Sequence, residues 1–317
     1  MYLDRKPTGC TWHPDIDPSD GHLLNTINFD PASNNPFDVP LPWLAGDWES
    51  ECWRTSTPSE TFELKGWQIR RTRDLAFVAI DVPETGLANP ADLEAAALAS
   101  YRQLFALRGQ LELPHLQRVW HWLYQLLEGD GEAQRYRSLC RGRARAVDEV
   151  EATLPPATGI ESARPGLRIQ ALFGTQPITP VENPRQVSAY RYPREHGIRS
   201  PAFARAAITQ LGGTRYLLLS GTASIVGHET RHVGDVRQQT RESIANVAAV
   251  MDTASADTSA QGLKGLAGVR GYVAAASNAG VVASELRALL PGVPVTLLHG
   301  RLCRPDLHVE VETLMRF

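Results

Sequence analysis

The stretch VGHETRHVGD contains the string HExxH, which is typical of the helix that binds zinc in metalloproteases. Two histidines with this spacing can bind one ion only if they lie one turn apart on a helix. Here Gly227 stands before the string, and the first helix-capping residue, Asp235, comes after it. The sequence therefore places His228, Glu229 and His232 in a connection between a strand and a helix, and we expect no metal ion at this string.

The alternative to a zinc helix is a loop in which the two histidines and Glu229 hydrogen-bond to each other and to the backbone. A zinc site with three histidines would need the third where the chain has Gln238, so its third ligand would have to come from elsewhere. The residues favour the loop.

A second group with acid–base potential is the pair Glu310 and Glu312, in the closing strand LHVEVETLMRF. Alternation along a strand places the two glutamates on one face, opposite Val309 and Val311. If that face lines a cleft, desolvation raises a carboxyl pKa towards the working pH, as a general acid needs. If the face is exposed, the two are ordinary surface acids, and the residues alone favour this second interpretation.

A third candidate is the turn SGTAS, which combines hydroxyl groups with the flexible Gly221. Such a turn can present backbone N–H groups to a carboxylate. No GxSxG string accompanies it, so the sequence disfavours a serine hydrolase. The four residues that we expect to contact a ligand are Ser220, Gly221, Thr222 and Ala223.

Composition excludes several classes of protein. The formal net charge of −3 gives no electrostatic case for a nucleic-acid binder. The four cysteines are widely spaced, which argues against a structural zinc module or a disulfide scaffold. No apolar run is long enough to span a membrane, and the first residues do not resemble a signal peptide, so we expect a cytoplasmic protein.

The elements that would position these groups form two halves with the same order. After a Pro- and Trp-rich lead-in (1–60), whose tryptophans we expect to pack on the next domain, the segment 61–160 shows a strand pair, a helix, a strand and a second helix. The segment 161–317 repeats this order, with a helix capped by Asp235 and two closing strands. The sequence thus predicts an α+β protein of two related units, each a mixed sheet with helices on one face. LPPATGIESARPG is the predicted boundary.

Read in full, the segment around the HExxH string resembles the chorismatase family, whose signature here is SGTASIVGHE followed by spaced H, GD, Q, E and N. The matching residues are Ser220 to Ser224, Gly227 to Glu229, His232, Gly234, Asp235, Gln239, Glu242 and Asn246. The block NPRQVSAYRYPREHGIRSPAFARA and the segments RVWHWLYQLL, GRARA and CRPDLHVEVE are also similar to the family, so the resemblance covers roughly 60–317. The chain departs from it at Leu139-Cys140, where we expect FN, and at Ala274, where a basic residue is common.

The resemblance implies RidA/YjgF-like (chorismate mutase-like) units and a reaction that releases pyruvate from chorismate without a metal or organic cofactor. It implies that Glu310 is the catalytic acid that protonates the enolpyruvyl ether. Arg143 would bind a substrate carboxylate, because a guanidinium grips a carboxylate at two points. The other substrate-binding candidates are Tyr190, Arg191 and Arg304, of which Arg304 could instead pair with Asp306.

The resemblance also bears on the product. A cysteine at Cys303 goes with the 3-hydroxybenzoate-forming type, and another residue there with the type that hydrolyses chorismate to a dihydroxycyclohexadiene carboxylate. A buried structural cysteine is the alternative. His228, Glu229 and His232 would support the wall of the site. Two other functions stay open, a RidA-type enamine or imine deaminase and a non-catalytic small-molecule sensor, and so do two assemblies, a monomer and a homotrimer.

Overall fold

The computed structural model describes residues 11–12, 22–150, 153–255 and 262–317. The lead-in forms β1 (Thr11–Trp12), β2 (His22–Asn28), β3 (Trp43–Gly46) and β4 (Ser50–Thr55). The first unit contains β5 (Glu60–Leu64), β6 (Trp67–Arg71), β7 (Leu75–Val82), α1 (Pro90–Gln110), β8 (His115–Tyr124), α2 (Arg135–Asp148), β9 (Ala157–Ser162) and β10 (Leu167–Gly174).

The second unit has the same order of strands and helices as the first unit, with three short extra strands before its first helix. Its elements are β11 (Thr179–Val181), β12 (Ala206–Leu211), β13 (Thr214–Leu219), β14 (Thr222–Ala223), β15 (Ile225–Val226), β16 (Glu229–Thr230), α3 (Val236–Ser255), β17 (Leu266–Val273), α4 (Ala279–Leu289), β18 (Val295–His299) and β19 (Val309–Arg316). None of the helices in the described part of the chain is long and apolar enough to cross a membrane.

The two sheets have the same strand order, which confirms the predicted pair of α+β units. The first sheet runs β5-β6-β7-β10-β8-β9, and the second runs β11-β12-β13-β19-β17-β18-β3. In each, a parallel pair (β8 with β9, β17 with β18) lies beside an antiparallel hairpin (β6 with β7, β12 with β13). The last strand of each unit, β10 or β19, fills the space between hairpin and parallel pair.

This order corrects the predicted boundary between the units. The segment expected to separate them contains β9, and β10 was expected to open the second unit, yet both belong to the first sheet. β10 pairs antiparallel with β7 along its whole length and with β8 on its other side. The facing edges of β7 and β8 need a strand between them to satisfy their backbone hydrogen bonds. That strand, β10, is the last strand of the unit in the chain. The division between the sheets therefore lies after Gly174 and not at residue 160.

The lead-in was expected to pack on the first unit, but it also contributes strands, one of them to the second sheet. β3 is the edge strand of the second sheet, where it pairs with β18, and β4 pairs with β2 in a separate small sheet. Trp48 and Trp53 are buried, and Trp43 packs against the same apolar cluster. Trp12 carries no described side chain, so its predicted packing lies outside the described residues.

The apolar side chains form three layers. One cluster joins the outer face of the first sheet to α1 and α2, and another joins the outer face of the second sheet to α3 and α4. The third lies between the inner faces of the two sheets and includes Phe77, Trp120, Tyr272 and Leu314 together with the lead-in residues. Any polar group on an inner face is therefore removed from bulk water.

Two helices begin with a side-chain cap, of which the sequence predicted the one at Asp235. The Asn89 side chain accepts hydrogen bonds from the backbone N–H groups of Ala91 and Asp92, with Pro90 in the first turn of α1. Asp235 precedes α3, and its carboxylate accepts from the N–H of Gln238 at 3.1 Å. This confirms that the HExxH string ends before the helix begins.

Candidate active site

A cavity opens between the two units, and its wall combines residues that are far apart in the chain. α2 contributes Cys140 and Arg143, β9 contributes Thr158, and β19 contributes Glu310. The wall also includes His121, Tyr192, His196, Arg205, Gly221, Ala223, Cys303 and Arg304. Neither unit could form this wall alone.

Glu310 lies on the inner face of β19 and is only 6% exposed. Burial, and next the charge of Glu312, raise the pKa of the Glu310 carboxyl to about 8, although Arg118 and Arg205 act in the opposite direction. At neutral pH this side chain is therefore a protonated acid that faces a cavity. A proton donor with a pKa near the working pH is what general-acid catalysis requires.

Glu312, two residues further on the same face, has the opposite character. Its carboxylate accepts hydrogen bonds from Trp120 Nε1 at 2.9 Å, from Thr158 Oγ1 at 2.7 Å and from the Tyr272 hydroxyl at 3.0 Å. Burial acts to raise the pKa of Glu312, but the guanidinium groups of Arg270 and Arg118 outweigh it, and the pKa lies below its ordinary value. The pKa values of the two neighbouring carboxyl groups therefore diverge, so that Glu310 is the neutral acid and Glu312 is the anion.

Gly221 makes room for the Glu310 carboxyl. A Cβ atom at this position would overlap Oε1 of Glu310, so no other residue type leaves the acid in its place. The Gly221 N–H donates to Thr158 Oγ1 at 3.0 Å, and Thr158 donates in turn to Glu312. The SGTAS turn thus leaves space for the Glu310 carboxyl, and the Gly221 N–H is already bonded to Thr158 and not available for a substrate carboxylate.

His121 also lines the cavity, but it is a neutral side chain. Burial, and next the charge of Arg143, lower the pKa of His121 to about 3. Its Nδ1 lies 2.9 Å from the carbonyl oxygen of Thr158, which requires a proton on Nδ1 and leaves Nε2 to accept from the Tyr101 hydroxyl. His121 therefore carries no charge and serves to position Thr158.

Four guanidinium groups line the cavity, those of Arg137, Arg143, Arg205 and Arg304. Arg143 and Arg205 are each less than 7% exposed, and among the described residues their Nε atoms have no hydrogen-bond partner. Arg205 donates through Nη2 to the Tyr192 hydroxyl at 2.7 Å. Buried donors without partners are costly, and an anionic ligand would satisfy them.

Helix packing accounts for the position of Arg143. The preceding residue, Gly142, lies so close to α1 that a Cβ atom would overlap the Glu94 carbonyl oxygen. α2 can therefore approach α1 closely, and Arg143, on the next position, lies with its guanidinium 5.4 Å from the ring of Tyr101. This is the physical reason for the glycine and arginine of the GRA string.

Cys303 lies on the wall near Glu310. Burial, and next the charge of Glu310, raise the pKa of the Cys303 thiol to about 12. The sulfur is therefore a neutral thiol at any physiological pH and neither a thiolate nucleophile nor a base. Its neighbour Arg304 donates to the carbonyl oxygen of His228 at 2.8 Å and lies over the ring of Tyr192.

α3 holds two of the site segments. Asn246 donates to the carbonyl oxygen of Ala223, within the SGTAS turn, and to that of Ile225, just after it. Gln239 donates to the Asp306 carbonyl oxygen and accepts from the N–H of His308, just before β19. Both side chains belong to the spaced signature that follows the HExxH string, and their role is to position the cavity wall.

Several residues expected to bind a ligand lie elsewhere. Tyr190 and Arg191 are exposed and are not on the cavity wall, where their neighbour Tyr192 stands instead. The Ser220 hydroxyl donates to the Arg205 carbonyl oxygen, and that of Thr222 to the Ser220 carbonyl oxygen. Of the turn, only Gly221 and Ala223 reach the cavity.

Several residues on the cavity wall were not identified from the sequence, among them His121, Thr158, Tyr192 and Arg205. Arg205 and Tyr192 lie within the block NPRQVSAYRYPREHGIRSPAFARA, so the resemblance pointed to the right segment but not to these side chains. Thr158 lies in the segment taken for a boundary.

The HExxH string does not form a zincin site. It runs through the β15–β16 hairpin and the turn after it, so the two histidines diverge. His228 contacts Glu195 and His196, whereas His232, in a left-handed backbone conformation (φ 56°), contacts Glu242. Glu229 is exposed and pairs with Arg231 at 3.0 Å. The expected loop is present, but its histidines contact other segments rather than each other.

A buried protonated glutamate with arginine side chains around one cavity is an arrangement suited to general-acid chemistry on an anionic ligand. The family model "Chorismatase FkbO/Hyg5-like, N-terminal" matches residues 51–173. A 3-hydroxybenzoate synthase of Streptomyces hygroscopicus is 33% identical over 279 residues, which cover 83% of this chain and 80% of that protein. A chorismatase of Streptomyces rapamycinicus is 34% identical over 284 residues, covering 83% and 81%.

A crystal structure of a chorismatase has the same fold along nearly the whole chain. It aligns with a TM-score of 0.77 and 26% identity and covers 95% of both chains. The chain therefore belongs to the chorismatase family, as the resemblance indicated, and the α+β fold class is confirmed.

Proposed function

We propose that this protein is a chorismatase that removes pyruvate from chorismate and forms 3-hydroxybenzoate. The observation that carries the proposal is Glu310, a buried carboxyl whose pKa is raised to about 8, facing a cavity lined by four arginines. Chorismate carries two carboxylates and an enolpyruvyl ether, and its conversion requires cationic groups and a proton donor. The names of the relatives, chorismatase and 3-hydroxybenzoate synthase, support this substrate.

Glu310 would transfer its proton to the methylene carbon of the enolpyruvyl group. The ring hydroxyl next to the ether then forms a new C–O bond as the ether bond to the ring breaks, pyruvate leaves, and the hydroxyl proton passes to the Glu310 carboxylate. The resulting arene oxide opens to the aromatic product as its oxygen takes up one proton and the ring loses one. Atoms balance without water, metal or redox partner, since chorismate divides into pyruvate and 3-hydroxybenzoate.

Arg143 and Arg205 are the proposed carboxylate-binding residues, with Arg304 as the third candidate. The Nε atoms of Arg143 and Arg205 lack partners among the described residues, and a planar guanidinium binds a carboxylate at two points. The neutral state of Glu310 also favours binding of an anionic substrate, because a charged carboxylate at this position would repel the carboxylates of the substrate. Tyr190 and Arg191 are no longer the preferred candidates, because they are exposed.

The product depends on whether water reaches the activated ring. Cys303, a neutral thiol on the wall, would exclude water from this position and would favour attack by the ring hydroxyl. Water attack would instead give the dihydroxycyclohexadiene carboxylate.

The test is incubation of the purified protein with chorismate in the presence of a metal chelator. Pyruvate release is followed by coupling to lactate dehydrogenase, and the ring product is identified by chromatography and mass spectrometry. We expect equal amounts of pyruvate and 3-hydroxybenzoate. Chorismate that remains unchanged would refute the function, and the hydrolysed diene would refute the product assignment alone. Ammonia release from a 2-imino acid, without chorismate turnover, would identify a deaminase instead.

A further inference from the structure

Three metal-ligating side chains converge at the rim of the cavity, and the proposed reaction does not use them. Glu195 and His196 belong to the turn Arg194–His196, and His228 belongs to the turn of the β15–β16 hairpin. His196 Nε2 lies 3.1 Å from His228 Nδ1 and 3.4 Å from Glu195 Oε1, and His228 Nδ1 lies 3.2 Å from the same Oε1. One atom of each residue therefore forms a nearly equilateral triangle.

The size of the triangle matches a tetrahedral metal site. Zinc bonds of about 2.0–2.2 Å to nitrogen and oxygen at tetrahedral angles place neighbouring ligand atoms about 3.3–3.5 Å apart. Hydrogen bonds account for the triangle less well. A donated proton points at one acceptor, so if both imidazoles donate to Oε1, two N–H groups face each other at 3.1 Å. A cation at the centre satisfies all three lone pairs.

We propose that Glu195, His196 and His228 form a binding site for a divalent metal ion of the zinc type. Two imidazoles and one carboxylate are a ligand set that zinc commonly takes, with the fourth position left to water or to a ligand. The two histidines are half-buried and Glu195 is exposed, so an ion can enter from solvent. The site uses one histidine of the HExxH string and neither Glu229 nor His232.

The site would join segments that form the cavity wall. Arg137 of α2 donates to the Glu195 carbonyl oxygen at 3.0 Å, and Arg304 donates to the His228 carbonyl oxygen at 2.8 Å. His196 itself lines the cavity. A bound ion would therefore hold the turn Arg194–His196 against the hairpin and narrow the entrance. The two guanidinium charges weaken cation binding, so zinc occupancy would depend on its free concentration.

Metal binding is tested on tag-free, chelator-treated protein by calorimetric titration with zinc and by the visible spectrum of bound cobalt(II). We expect one ion per chain, a tetrahedral cobalt spectrum, and a zinc-dependent rise in the thermal midpoint. The variants H196Q and E195Q should each weaken zinc binding by at least ~10–100-fold, the range already seen for lost supporting residues. The matched control is H232Q, which changes the other histidine of the string and should keep wild-type affinity.

Thermal unfolding of each variant without metal separates lost binding from lost folding. No zinc binding by the folded wild-type protein would overturn the proposal and leave a hydrogen-bonded triad. Equal loss in H232Q and H196Q, or binding that no variant changes, would also overturn it. These measurements do not depend on chorismate turnover. The metal-site proposal can therefore be refuted while the proposed function stands, and the proposed function can be refuted while the metal site stands.

Discussion

The substitution Glu310→Gln removes the titratable proton but keeps the size of the side chain, and it should alter activity and stability in opposite directions. Loss of the acid should reduce kcat by roughly 10²–10⁴-fold. Stability should respond because the pKa of this buried carboxyl rises from 4.5 to about 8 on folding. The unfolded chain binds the proton less tightly than the folded one, so the wild-type protein loses stability as pH rises between these values.

The magnitude follows from the two pKa values. Each pH unit in this interval lowers the free energy of unfolding of the wild-type protein by about 1.4 kcal/mol. The loss caused by Glu310 therefore reaches about 3 kcal/mol at neutral pH and about 5 kcal/mol at pH 8 and above. Glutamine has no such dependence. The free energy of unfolding of Glu310→Gln minus that of the wild-type protein should therefore increase with pH by several kcal/mol.

The assay is urea unfolding of both proteins at pH values of about 5, 7 and 9, followed by circular dichroism. The difference between the proteins isolates Glu310, because all other titrating groups are shared. A difference that stays constant over this range would refute the raised pKa and the role of Glu310 as a neutral acid.

Glu312→Gln is the matched control on the same face. The Glu312 carboxylate is charged at neutral pH and pairs with Arg118 and Arg270 in the buried layer. Its removal leaves two buried guanidinium groups with one partner fewer and should destabilise the protein by about 3–5 kcal/mol at neutral pH. Because the pKa of Glu312 is lowered, this loss should diminish only as pH falls towards the acid range.

Three further substitutions test the cavity. Gly221→Ala should reduce kcat by at least about tenfold, because its methyl group displaces the Glu310 carboxyl, and unchanged kinetics would contradict this contact. Arg205→Ala should raise KM for chorismate by about tenfold or more through loss of a charge-assisted bond, whereas an unchanged KM with lower stability would show a structural role only. Cys303→Ala should raise the share of hydrolysed diene among the products, measured by chromatography, and an unchanged product ratio would remove Cys303 from the control of water.

The periodic parts of the fold could be predicted from the sequence. The cap at Asp235, the cap at Asn89 and the alternation in β19 are local signals, and the structure contains each of them. The position of β10 could not be predicted in this way. Its residues indicate a strand, but its partners β7 and β8 are far away in the chain, and pairing between distant strands leaves no local pattern.

For the site, the sequence by itself determined the residue types that can do the chemistry. It placed Glu310 and Glu312 on one strand face, put a glycine in the SGTAS turn, and excluded a zinc helix at the HExxH string through Gly227 and Asp235. These conclusions need only the period of a strand and the start of a helix.

Only the tertiary structure shows why Glu310 is protonated while Glu312 is charged, and which residues surround them. Glu310 is protonated because it is buried between two sheets beside Glu312, whose own charge is stabilised by Arg118 on β8 and Arg270 on β17. Arg205, one of the cavity arginines that the sequence missed, is identified by its burial and not by its spacing. A pKa depends on burial and on nearby charges in space, and neither quantity is written in the order of the residues.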